Sequence, residues 1–454
     1  MSARLTARLA AAWLATMLAG AAASATPVVS TDAVLPAGSE LNEQLLDQPT
    51  ELFAFERAGG KRSYPFNLGD MLFSSSVIFG GKARDAGLSC NSCHQQGAAN
   101  PALYVPDLSR RPGTFDTTGA LFNPKADNGV FDPVTAPSLR GAKFLAPYGH
   151  DGRFASLRDF VRNVIVNEFA GPEPSGQTLD ALVAYIHEIS FLPNAKMAPD
   201  GRLTAKASDA ARRGEAVFNK PFPHDAAMSC ASCHQADAVF VDHKVHDIGT
   251  GGFFKTKTLV NANFNAPYFH DSRFDTFDEV VGYFDKHYDL GLSGAERADL
   301  VAYLETIGDA DEPTTRNSVQ AEVDELSAFV SVLDVAIPAR DTAVILQAID
   351  SVGAEWREIG ERFPDRRDTS IEGGIGERLK ARASVRGLVL TLRQVAMAAE
   401  AGDFTQATRL YAEYGTLVTA ATPQLKAAEQ WSLFNPEVHR RHFAALAKLA
   451  ALGK

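Results

Sequence analysis

Cys90-Asn91-Ser92-Cys93-His94 is followed 140 residues later by Cys230-Ala231-Ser232-Cys233-His234. Both are C-x-x-C-H, the pattern of covalent attachment of a c-type haem. Two thiols three residues apart on a tight helical turn can add to the two vinyl groups of one haem. The next residue then lies under the iron, where its imidazole serves as proximal ligand. Zinc sites and thioredoxin-like redox pairs also use paired cysteines. Neither calls for a His directly after the second Cys in both copies. The chain has 4 Cys and the two motifs use them all, so no thiol remains for a disulfide or a nucleophile. The reading is two covalently bound haem c groups, with His94 and His234 as the proximal ligands of the two irons.

Outward from the motifs, two segments repeat the same landmarks in the same order. An amphipathic helix carries a Gly four residues before a Phe, Gly69 and Phe73 first, then Gly214 and Phe218. The haem motif follows, then a turn: Ala136-Pro137-Ser138-Leu139-Arg140 and Lys257-Thr258-Leu259-Val260. Next come Ala146-Pro147-Tyr148-Gly149-His150-Asp151-Gly152-Arg153-Phe154 and Ala266-Pro267-Tyr268-Phe269-His270-Asp271-Ser272-Arg273-Phe274. A closing helix carries Leu182-Val183-Ala184-Tyr185, then Leu300-Val301-Ala302-Tyr303. Each repeat is expected to cross its first and last helices at the Gly and to close its own core. The first repeat has about 20 extra residues before its turn, a Pro-, Gly-, Asp- and Asn-rich loop from Pro106 to Pro133.

Beyond an acidic linker, Asp309-Ala310-Asp311-Glu312-Pro313, the chain has no Cys and long helical periodicity. Helices are predicted over about 317–337, 341–363, 377–401 and 403–433, with Pro423 expected to kink or break the last. Four amphipathic helices with short connections suggest a bundle. The fold class is therefore mainly α, two c-type cytochrome domains in tandem followed by a C-terminal helical bundle. The expected divisions are 1–25 leader, 26–50 extension, 51–203 first haem domain, 204–312 second haem domain and 313–454 bundle.

Arg4 and Arg8 precede an apolar run, Leu9 to Ala23, and the small-residue site Ala23-Ser24-Ala25. This reads as a cleaved secretory signal, too short to span a membrane. Export to the periplasm agrees with haem attachment outside the cytoplasm. The formal net charge is −11, with 45% hydrophobic and 22% charged residues. An acidic globular chain of this kind is a poor partner for nucleic acid or an anionic membrane.

Two C-x-x-C-H units, each with an Ala-Pro-Tyr-x-His-Asp segment and a Leu-Val-Ala-Tyr helix, resemble the bacterial di-haem cytochrome c peroxidase family. That family also holds di-haem enzymes that oxidise tryptophans of a partner protein. The resemblance covers about Tyr64 to Gly308. It is most specific in the second unit, at Val245-His246-Asp247-Ile248-Gly249-Thr250 and Thr276-Phe277-Asp278-Glu279-Val280-Val281. It implies that the N-terminal haem reacts with hydrogen peroxide and the C-terminal haem takes electrons from a small cytochrome c or copper protein. It also implies a distal carboxylate acid/base, for which Glu168 is the candidate.

Some positions depart from the family. His150 stands where the family carries a Trp between the haems, and Phe160 and Val164 stand where it carries a distal Gln and Pro. The family's distal ligand of the second haem maps onto Phe284, which cannot ligate iron. Tyr283 and His287 are the neighbouring candidates. A calcium ion between the domains is implied, with Asn265 and Pro267 at its carbonyl positions and Asn123 as a side-chain candidate. The expected function is a periplasmic di-haem peroxidase, with a homodimer among the assemblies open to it. The alternatives are an oxidase modifying a partner protein and a non-catalytic di-haem electron carrier.

Overall fold

The computed structural model describes residues 35–41, 49, 51–311, 318–365, 371–442 and 444. The leader at 1–25, most of the extension at 26–50 and the linker residues Glu312-Pro313 lie outside the described residues. The chain is mainly helical, and among the described residues its named strands form two short hairpins. No described helix is long and apolar enough to cross a membrane.

The first unit contains α1 (Tyr64–Phe73), a hairpin of β1 (Thr114–Phe115) and β2 (Val134–Thr135), α2 (Leu157–Asn163) and α3 (Gly176–Glu188). The second contains α4 (Asp209–Phe218), a hairpin of β3 (Val245–Asp247) and β4 (Phe253–Lys255), α5 (Phe277–His287) and α6 (Gly294–Gly308). Both hairpins are antiparallel, with Thr114 opposite Thr135 and Val245 opposite Lys255. Serine or threonine side chains cap the main helices. Ser63 accepts from the Phe66 amide, and Thr276 and Ser293 form capping boxes with Glu279 and Glu296.

In each unit the first helix lies against the last. A Cβ added at Gly69 would collide with the Ala181 carbonyl and Tyr185, and one at Gly214 with the Asp299 carbonyl and Tyr303. Only glycine allows these approaches. The Phe73 and Tyr185 rings then meet at 5.0 Å, and the Phe218 and Tyr303 rings at 5.2 Å.

The remaining helices are α7 (Val319–Val330), α8 (Thr342–Glu361), α9 (Ile375–Glu400) and α10 (Phe404–Ala428), with one further turn, Leu333–Ala336, before α8. They pack on one another in succession. Trp356 is fully buried among them, its Nε1–H donating to the Tyr414 hydroxyl at 2.7 Å. Helix α10 runs through Pro423 without ending, with Ala421, Leu425 and Ala428 buried around it.

The two units differ in how their cores close. The second has a core of its own around Phe218, Phe240, Leu300 and Tyr303. The core of the first runs without a break into α7–α10. The expectation that each repeat closes its own core fails for the first unit. The reason is visible on α1, where seven of the ten residues are buried. Such a helix is covered on more than one side: α3 takes one face, and α7 and α8 also contact it. The Asn67 amide donates to Ser331 Oγ at 3.0 Å across this contact. Its counterpart α4 buries only Ala211, Gly214 and Phe218.

Charge is also enclosed beneath α7. Asp70 is 2% exposed and pairs with Arg62 at 2.9 Å. Burial pushes its carboxyl up to about 7, against the pull of Arg62 and with help from Glu51. Burial also raises Glu325 on α7 well above the usual carboxylate range, with Glu51, Glu322 and Asp70 adding to it.

Candidate functional site

Each cysteine pair forms a one-turn helix, Cys90–Cys93 and Cys230–Cys233. The serine before each pair, Ser89 or Ser229, makes a capping box with Ser92 or Ser232. This holds both sulfurs of each motif on one turn. His94 Nδ1–H donates to the Pro137 carbonyl at 2.8 Å, and His234 Nδ1–H to the Phe240 carbonyl at 3.0 Å. Fixing Nδ1 as the donor leaves Nε2 as a lone pair, the form that ligates iron. Burial lowers His94 to about 4 and pushes the Cys90 thiol up to about 12 and the Cys230 thiol to about 11. Thioether formation leaves no thiolate charge to bury in so desolvated a place. The residues fit a covalently held haem at both motifs.

Glu168 lies in the first unit, at the end of a π-helical turn, Val164–Glu168, that continues α2. The Phe169 amide bonds back to the Val164 carbonyl at 3.1 Å. Turns of this kind recur at functional sites because they re-aim a side chain. The Glu168 side chain is 12% exposed. Its Oε1 accepts from Asn163 Nδ2 at 3.0 Å and lies 3.5 Å from Arg153 Nη2. Burial raises its carboxyl, while Arg153, Thr117 and Asn163 pull it part of the way back.

In the second unit α5 is a regular helix. The Tyr283 hydroxyl donates to the Ile248 carbonyl at 2.5 Å. The His287 ring stacks on Tyr283 with centroids 5.7 Å apart, and both side chains lie close to Gly249. Phe284 meets Phe269 and Tyr288. The two ligand candidates thus face the 248–249 turn. Burial raises the phenol of Tyr288, with Cys233, Tyr283 and Cys230 adding to it. Sequence reasoning missed it. The signal was available, since Tyr288 follows His270 by the same eighteen residues that separate Glu168 from His150.

The units meet through the hairpins. His150 Nε2–H donates to the Thr135 carbonyl at 2.8 Å, and its Nδ1 is buried without a hydrogen-bond partner. Burial, with Lys257 adding, keeps this imidazole well below its usual range. The Lys255 amide donates to the His150 carbonyl at 2.9 Å, and the Thr135 amide to the His270 carbonyl at 2.7 Å. Lys255 Nζ reaches the Leu145 and Pro147 carbonyls at 2.5 and 2.7 Å. Arg111 pairs with Asp275 at 2.6 Å across the same junction.

Of the residues considered for calcium, Asn265 keeps a buried Oδ1 without a hydrogen-bond partner. Pro267 follows a cis peptide bond, as does Pro147. Asn123 instead faces the π turn, donating to the Asn167 carbonyl at 2.5 Å. Cys233, Asp242 and His246 bring one ligand atom each within 4.8 Å of one another. A thioether at Cys233 leaves only Asp242 and His246, which pair at 2.7 Å.

The sequence profile of the family "Di-haem cytochrome c peroxidase" matches residues 209–330. That span runs from the first residue of α4 to the last of α7 and includes the second haem motif. The resemblance read from the motifs is therefore found independently over the second unit, and it implies a haem-carrying oxidoreductase. No curated protein matches the chain. Among solved structures, a xenon-pressurised hydrazine synthase of Kuenenia stuttgartiensis is similar at 20% identity and a TM-score of 0.40, covering 60% of this chain and 97% of that one. A MauG-like protein associated with microbial copper homeostasis is similar at 17% identity and a TM-score of 0.40, covering 59% and 94%.

Proposed function

We propose that this chain, whose residues 209–330 match the di-haem cytochrome c peroxidase family, is an exported peroxidase of two unequal haem units. It reduces hydrogen peroxide to water with two electrons and two protons, the electrons coming from a small periplasmic redox protein. The first unit is the reacting one and the second receives the electrons. The observation that carries this reading is the inequality of two positions that the repeat makes equivalent. Eighteen residues after the His of each His-Asp segment stands a shielded carboxylate, Glu168, in the first unit and a phenol, Tyr288, in the second.

When bound, the haems supply the iron that cleaves the O–O bond and the stores for the two electrons. The polypeptide supplies the proton path. Asn163 and Arg153 hold Glu168 Oε1, and burial raises its readiness to carry a proton. The carboxyl would take a proton from one oxygen of hydrogen peroxide and return it to the other, which leaves as water; the oxygen left behind would become the second water with the two electrons and two protons. Asn265, Pro267 and a calcium ion remain part of this reading, as do Tyr283 and His287 as ligands displaced from their present contacts.

Glu168→Gln keeps the shape and removes the titration. It should slow peroxide-driven oxidation of a reduced donor by about 10²–10⁴-fold with both haem spectra unchanged. Glu173, exposed and paired with Arg162, is the control, and its Gln variant should turn over as the parent does. Equal rates for the Glu168 variant and the parent would overturn the role of Glu168, and a parent that does not turn peroxide over at all would favour a plain electron carrier.

A further inference from the structure

The end of β1 and the loop that joins it to β2 make two separate contacts with residues 167–169. Phe115 and Phe122 stack at 5.7 Å, and each reaches Phe169, at 6.1 and 5.7 Å. Phe79 adds a fourth ring, 4.6 Å from Phe169. All four are buried. Asn123, also buried, bonds the Asn167 carbonyl through Nδ2 and the Lys125 amide through Oδ1 at 3.1 Å, so both ends of its amide are fixed. The first turn of the loop is stiffened by the buried Asp116, whose Oδ1 accepts from the Thr118 amide at 2.9 Å and its hydroxyl at 2.7 Å. The second hairpin has only residues 248–252 between its strands and nothing that corresponds to this loop.

We propose that the 106–133 loop is a clamp that positions Glu168, with Asn123 holding Asn167 on one side of it and Phe122 holding Phe169 on the other. The proposal rests on the reading of Glu168 as the proton carrier. Asn123 and Phe122 are positioning residues, since neither needs to touch the peroxide. The carboxyl itself is held by Arg153 from the His150 segment and Asn163 from α2, with Asp151 behind Arg153 at 3.1 Å.

The test uses the full, haem-loaded chain. For Asn123→Ala, amide hydrogen exchange over residues 164–169 should accelerate while that of α5 stays unchanged. Unaltered exchange at 164–169 overturns the clamp. In the same variant kcat for peroxide should fall with KM unchanged, because the carboxyl is misplaced while the site stays open; an unchanged kcat overturns the positioning role of Asn123. Glu168→Gln is measured beside it. If that variant turns over as the parent does, the catalytic reading fails, and the exchange results still decide the clamp.

Discussion

The amide of Lys255 donates to the carbonyl of His150, and this bond has a reciprocal: the amide of Thr135 donates to the carbonyl of His270. Lys255 ends β4 and Thr135 ends β2. Each hairpin therefore belongs to one unit by sequence and is bonded to the His-Asp segment of the other. Backbone bonds of this kind do not depend on side-chain identity, so these two would hold whichever side chain stood at 150.

Thr135 is the side chain on which the junction most depends. Its Oγ1 bonds the Phe269 carbonyl at 3.0 Å and Ser272 Oγ at 2.6 Å in a buried setting. Thr135→Val keeps the volume and leaves Ser272 without that partner. Urea unfolding should show a loss of about 1–3 kcal/mol, the cost of a buried polar group left unmatched. Thr118→Val, at a less buried hydroxyl, should lose less.

Covalent attachment is checked by denaturing electrophoresis with haem staining. The parent should keep its stain, and Cys90→Ala with Cys93→Ala should lose about half of it. Extraction of all the haem by acid acetone would show that neither motif is loaded.

The continuous core predicts what truncation does. A chain ended after Asp311 exposes the face of α1 that α7 and α8 cover. It should aggregate or lose the His94 haem while a fragment beginning at 204 and ending at 311 keeps its own. Within the full chain Phe329→Ala, at a buried ring on α7, should cost about 3–5 kcal/mol. A soluble truncated chain with both haems would contradict the shared core.

The enclosed carboxylates predict how stability varies with pH. Asp70 has a folded value of about 7, above the roughly 3.9 of an unfolded chain. Between those values the folded state binds more protons than the unfolded one. Stability should therefore fall as pH rises through that window and level off above about 7. Asp70→Asn should flatten this slope. The same slope in the variant would assign the effect to Glu325 alone.

What could be read in the sequence was what local spacing encodes. The haem motifs and each of the five landmarks depend on residues a few positions apart, and it was their recurrence in the same order that placed Gly69 with Tyr185 and Gly214 with Tyr303. The predicted helices at 341–363 and 377–401 became α8 (Thr342–Glu361) and α9 (Ile375–Glu400) for the same reason. The shared core was harder to see, because periodicity reveals an apolar face but not what covers it. Its trace was present in α1, Tyr-Pro-Phe-Asn-Leu-Gly-Asp-Met-Leu-Phe, which is far more apolar than its counterpart Asp-Ala-Ala-Arg-Arg-Gly-Glu-Ala-Val-Phe. The π turn leaves no residue signature, since it changes which carbonyl an amide finds and not which side chains are used. Of the two effects expected of Pro423, a break does not occur, and α10 runs on to Ala428. Tyr288 was missed because counting followed the family's ligand position and not the chain's own repeat.

The reciprocal junction also sets a rule for where this molecule can lengthen. From Thr135 to His150 and from Lys255 to His270 the distance along the chain is the same fifteen residues. An added residue in either stretch would pull one hairpin out of step with the opposite unit. Before β2 no such yoke applies: His94 to Thr135 is 41 residues, against 21 from His234 to Lys255. The twenty residues by which these two stretches differ lie wholly on that unyoked side. The largest difference in length between the units thus falls before the yoke, in the stretch that lies over Glu168.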